Sequence, residues 1–96
     1  MLDDGPVTRP GFAFPQRLMH AQAMAVLEAL RAAIDAGADS VDLSLLAEFD
    51  SSALSVLLAA RRSQRADLPL RCVNVPEKLR KLANLYGVDT LIFDDL

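Results

Sequence analysis

The sequence predicts a small α/β fold, one sheet flanked by helices, and three observations predict it. Extended and helical patterns alternate along the chain, and the helical stretches end at glycine or before proline. One segment, Ser40-Val41-Asp42-Leu43-Ser44, alternates polar and apolar residues with period two, as a strand with one face on a core does. Strands separated by helices imply parallel pairing through right-handed crossovers, and an antiparallel hairpin near the N-terminus would make the sheet mixed. The frame expected is an α/β domain with a mixed β-sheet and three to four α-helices packed on it.

Each element has its own signal. Residues 1–11 contain Gly5, Pro6, Pro10 and Gly11, with Asp3 and Asp4 to keep them solvated, and are expected to form a flexible arm or a short edge strand. The single globular domain is placed at 12–96. Phe12 to Phe14 begins an alternating pattern that Pro15 ends. From about Met19 to Ala36 the residues Met19, Ala23, Val26, Leu27, Leu30 and Ile34 recur at spacings of three and four, with Glu28, Arg31 and Asp35 opposite. This is an amphipathic helix, and Gly37 stops it.

After the Ser40–Ser44 strand, Leu45 to Phe49 reads as a turn into Asp50-Ser51-Ser52. Asp and Ser accept hydrogen bonds from the first unsatisfied amides of a helix, and Ala53 to Arg65 is rich in the helix formers Ala, Leu and Arg. The first half of this second helix is apolar almost all round, so it is expected to pack against a sheet and also against a neighbouring helix or a partner. Leu70 to Val75 gives the next strand, and Pro76 suits the first position of a helix whose stripe is Leu79, Leu82, Ala83 and Tyr86. Gly87 ends that helix, and Leu91, Ile92 and Phe93 add a last short apolar segment.

Composition narrows the function classes. With 52% apolar residues the chain can fill one core without metal or disulfide staples. Cys72, the only cysteine, is expected as a buried strand residue. A net charge of -3 gives no overall attraction to nucleic acid or to an anionic membrane. Arg61, Arg62 and Arg65 read as the solvated C-terminal end of the second helix, where cations suit the macrodipole. No apolar run approaches the roughly 20 residues that span a bilayer, and no signal pattern is present, so a cytoplasmic location without direct membrane insertion is expected.

Catalysis and metal binding find little support. His20 is the only imidazole, and no G-x-S-x-G elbow surrounds any serine. One Cys and one His cannot supply a tetrahedral nitrogen and sulfur site, and the four glycines are too scattered for a phosphate loop. No cofactor, metal or catalytic residue is therefore assigned, and His20 reads as an ordinary helix-start residue. Asp50-Ser51-Ser52 remains, open to two readings. It can simply cap the helix. Alternatively, a phosphate on an exposed hydroxyl there would meet the positive end of the helix while being repelled by Asp50.

The stretch Val41-Asp42-Leu43-Ser44, followed by Phe49-Asp50-Ser51-Ser52-Ala53-Leu54, resembles the signature of STAS domains. In these, a strand ending in Asp-Leu-Ser leads to an Asp-Ser-Ser-Gly-Leu turn into a helix. The resemblance implies a STAS-like (SpoIIAA-like) fold with its functional surface at the start of the serine-bearing helix. It matches Ser51, the candidate phosphorylation site, to the serine phosphorylated in anti-sigma factor antagonists, with Ser52 beside it. Ala53 stands where many members have Gly, and its methyl group would narrow how closely a partner backbone approaches.

The segment Leu79-Arg80-Lys81-Leu82-Ala83-Asn84-Leu85-Tyr86-Gly87-Val88 resembles the last helix of the MlaB family, small STAS subunits of bacterial phospholipid-transporting ABC complexes. That likeness implies a non-enzymatic subunit, cytoplasmic and peripheral to the inner membrane, that supports an MlaF-like ATPase in maintaining outer-membrane lipid asymmetry. It also implies that the residue matching Ser51, often Thr, lies at the contact. The expected partner-binding residues are Asp50, Ser51, Ser52, Ala53 and Ser55. The alternative implied is an anti-sigma factor antagonist switched by phosphorylation of Ser51, and an enzyme is the third and weakest class.

Overall fold

A computed structural model describes residues 10–64 and 67–93. Residues 1–9 of the N-terminal arm, Arg65, Ala66 and the last three residues lie outside that range. The elements in chain order are β1 (Gly11–Ala13), β2 (Arg17–Leu18), α1 (His20–Asp35), β3 (Ser40–Asp42), β4 (Glu48–Phe49), α2 (Ser52–Ser63), β5 (Arg71–Val73), α3 (Glu77–Leu85) and α4 (Asp89–Phe93).

The main sheet has the order β1-β3-β5, with β3 parallel to both neighbours. Each step of that order moves the chain in the same direction across the sheet. Right-handed crossovers then place α1 and α2 on one face, side by side, and these two helices pack against each other. The strand pairings of β1 with β3, β3 with β5 and β2 with β4 are parallel. An antiparallel strand from the N-terminal arm, which would make the sheet mixed, falls outside the described residues.

Alternation along the strands fills the core as the pattern predicts. Phe14, Val41, Leu43 and Leu70 are buried from the sheet; Leu30 and Ile34 come from α1, and Ala53, Leu54, Val56, Leu57 and Ala60 from α2. Leu79, Ala83, Ile92 and Phe93 close the core from α3 and α4. The buried set contains no polar or charged side chain among the described residues. Gly37 and Gly87 end α1 and α3 with φ of 103° and 73°, the left-handed region where a side chain is strained.

Several expectations change. Leu45 to Phe49 is not only a turn, because Glu48 and Phe49 form β4, which pairs with β2 in a separate two-stranded ladder. Pro76 is the N-cap of α3 rather than its first helical residue. Leu91, Ile92 and Phe93 belong to a short helix. Tyr86 lies beyond the last turn of α3 and is 58% exposed, so the apolar stripe of that helix ends at Ala83. Cys72 is half-buried rather than fully buried, because β5 is an edge of the sheet.

Arg61 departs furthest from its expected role as a solvated helix end. Its guanidinium turns inward and donates to two backbone carbonyls, those of Leu70 and Ile92, with Arg61 Nε 2.9 Å from the Ile92 oxygen. Gln64 completes the arrangement by accepting the Leu70 N–H at 2.9 Å. The end of α2 is thereby tied both to the residue preceding β5 and to α4. Arg62 remains exposed, as expected.

Candidate functional site

The short β2–β4 ladder determines where the Asp50-Ser51-Ser52 turn sits. Its register pairs Arg17 with Glu48 and Leu18 with Phe49, and both strands run directly into helices. Continuing that register by one step sets Met19 opposite Asp50. The N-termini of α1 and α2 consequently emerge side by side, although 30 residues separate His20 from Asp50. Gln22 supports the entry to α1 by accepting the Met19 N–H at 2.9 Å, as the third residue of a capping box does.

The Asp50 carboxylate binds the first amide of each helix. Its Oδ1 accepts the Ser52 N–H at 2.8 Å, and its Oδ2 accepts the His20 N–H at 3.3 Å. These first amides have no partner within their own helices, so a carboxylate satisfies them while facing the positive ends of two dipoles. The Ser52 amide foremost holds the Asp50 carboxyl below the usual carboxylate range. The Ser52 hydroxyl, the His20 amide and the His20 charge add to that effect, against a desolvation cost.

The two serines have different roles. Ser52 gives its amide to the Asp50 carboxylate. Ser51 is half-buried, has helical backbone angles, and makes no capping hydrogen bond through its side chain. Ser55, one turn along α2, is exposed. Ala53 is fully buried, at 0% exposure, and belongs to the core. Its assignment to the contact surface is therefore corrected: the methyl group points inward, where it cannot limit the approach of a partner backbone.

Between the first turns of α1 and α2 lies an open groove of about 320 Å³. His20, Ala23, Met24 and Leu27 line it from α1, and Ser52, Ser55 and Val56 from α2. Met24 is 68% exposed, a large apolar side chain left in solvent at the rim. Sequence reasoning missed the α1 wall, because Met24 lies off the core stripe and His20 was read in isolation. The available signal was a second stripe, His20, Met24 and Leu27, with spacings of four and three along the same helix.

At the far ends of β3 and β5, Asp42 accepts the Ser44 N–H and the Asn74 side-chain amide, each at 3.0 Å. Asn74 has φ of 57°, which lets its side chain turn back across the sheet. The bond from Asn74, followed by those from Ser44, holds the Asp42 carboxyl below its ordinary range. A second groove, of about 790 Å³, runs between α3 and α4, with Arg80 over the Phe93 ring at 5.2 Å and Leu85 78% exposed. Glu77 and Asp89 balance Arg80 and Lys81 along its walls, so it favours neither sign of charge.

Among the described residues, no group of three or more His, Cys, Asp or Glu side chains is placed to hold a metal ion. No helix among them is long and apolar enough to cross a membrane. The arrangement is an apolar groove with hydroxyls along one wall and an entrance capped by Asp50.

A family model described as "Mlab, STAS domain" matches residues 16–93. The match spans both the Asp-Ser-Ser turn and the Leu-Ala-Asn-Leu-Tyr segment that suggested the likeness. Neither a curated protein nor a solved structure matches the chain. The parallel α/β architecture, the signature turn at the head of α2 and a match over most of its length together show that the chain belongs to the MlaB-type family of STAS domains.

Proposed function

We propose that the chain is a non-enzymatic subunit that docks on the ATPase of an Mla-type phospholipid ABC transporter and supports its assembly and activity. The MlaB-type STAS family to which the chain belongs is generally non-catalytic, which supports a binding role. The observation that carries this reading is the open apolar groove beside the serine turn, with Met24 exposed at its rim. An exposed Met beside hydroxyls is the chemistry of a protein contact, because Met adapts to irregular apolar surfaces. Ser51, Ser52 and Ser55 would form the α2 side of the contact, with Met24 and Leu27 on the α1 side. Binding to the ATPase would hold the subunit at the cytoplasmic face of the inner membrane.

A second reading rests on Ser51. Because its hydroxyl makes no capping bond, modification there would cost the helix no cap, as an anti-sigma factor antagonist switched by phosphorylation requires. Co-expression of the chain with the ATPase of an Mla-type transporter from the same source, followed by size-exclusion chromatography, separates the two. A stable complex, weakened in Ser55→Arg, supports the transporter subunit. No complex, together with growth-dependent phosphate on Ser51 by mass spectrometry, would replace that reading with the antagonist.

A further inference from the structure

We infer that Asp50 is a positioning residue, which fixes the starts of α1 and α2 relative to each other and thereby sets the width of the groove. The inference concerns the site proposed above, but its structural half is independent of which partner binds there. A contact residue spends its polar atoms on a partner. Asp50 instead spends one oxygen on each helix, at 2.8 Å to the Ser52 N–H and 3.3 Å to the His20 N–H.

The geometry makes this coupling specific. His20 and Ser52 are the first residues of their helices, so neither amide has an intrahelical acceptor to fall back on. Both residues also line the groove, one on each wall. A carboxylate has two equivalent acceptor oxygens and can hold both amides at once, whereas a carboxamide has only one. Substitution by Asn should therefore keep one helix capped and release the other. Asp50 is thus linked to groove geometry through two amides and not through its own exposure.

Amide hydrogen exchange by NMR on the isolated chain tests this, with wild type, Asp50→Asn and Asp50→Ala compared. In Asp50→Asn the His20 amide should exchange about fivefold faster while Ser52 stays protected; in Asp50→Ala both should accelerate by that factor or more. Amides deep in α1, such as that of Leu30, should remain far slower to exchange than His20 in both variants, which reports that the fold is intact. Unchanged exchange at His20 in both variants would overturn the inference. ATPase binding supplies the second arm: Asp50→Asn should weaken it about tenfold. Full-strength binding by a variant whose His20 amide is released would also refute the role of the bridge in setting the groove. Failure of the wild type to bind the ATPase would instead count against the proposed partner and leave the exchange result standing.

Discussion

Replacing Arg61 with methionine keeps the length and apolar stem of the side chain while removing its five donors. In the folded chain these donors reach the carbonyl oxygens of Leu70 and Ile92, whose side chains are buried, and the guanidinium also lies 3.5 Å from Gln64 Oε1. Hydrogen bonds from a charged donor contribute about 1.5–3 kcal/mol each. Arg61 is half-buried, and water can reach part of the group, which lowers the combined loss to about 2 kcal/mol. For a domain of this size, a loss of that order lowers Tm by about 10 °C. Urea denaturation should show a lower midpoint with an unchanged m-value, because the folded and unfolded surfaces are hardly altered. Arg62→Met on the exposed side of the same turn should stay within about 0.5 kcal/mol of wild type. If the two variants proved equally stable, Arg61 would be a surface cation after all and the tie between α2, β5 and α4 would carry no weight.

Other perturbations probe the core, the backbone and the acid limb. Leu57→Ala, at a residue 1% exposed in the centre of α2, should cost about 2–5 kcal/mol in chemical denaturation. Gly37→Ala meets no neighbouring atom within 4 Å but must hold φ of 103°, so it should cost about 1 kcal/mol through backbone strain alone. Asp42 and Asp50 both have depressed carboxyl pKa values in the folded chain. Their contribution is present above the unfolded carboxylate value and is lost as pH falls through the folded one, so stability should decline on acidification. In Asp42→Asn and Asp50→Asn the urea midpoint should fall less steeply with decreasing pH below the usual carboxylate range, and an acid limb as steep as that of wild type would rule out these groups as its source.

Much of the fold was legible because its signals are local. The stripe from Ala23 to Ile34, the alternation over Ser40–Ser44 and the stops at Gly37 and Gly87 each specify an element without reference to the rest of the chain. The β2–β4 ladder was not legible, since strands of two residues are too short for a period to show. The inward turn of Arg61 was hidden for a different reason: its acceptors lie 9 and 31 residues away, and only the packed fold brings them within reach.

The candidate site divides along the same line. The α2 half could be read from Asp50-Ser51-Ser52, whose residue types both cap a helix and resemble the family signature. The α1 half, with His20 and Met24, depends on the strand order and on the register of a ladder that the sequence does not announce. Ala53 was misassigned because adjacency in sequence to two half-exposed serines says little on a helix, where each residue turns by about 100° from the last. That rotation carries Ala53 into the core and leaves Ser55 outside.

The most direct test of the account is a binding isotherm between the chain and the purified ATPase of the proposed Mla-type transporter from the same source, measured for wild type, Met24→Glu and Ser55→Arg. These two substitutions place charge on opposite walls of the groove at exposed positions, so the fold should survive both. The account predicts a measurable Kd for wild type and a loss of at least about tenfold in each variant. Wild-type binding undiminished in both variants would show that the ATPase docks elsewhere and that the groove between α1 and α2 is not the functional surface.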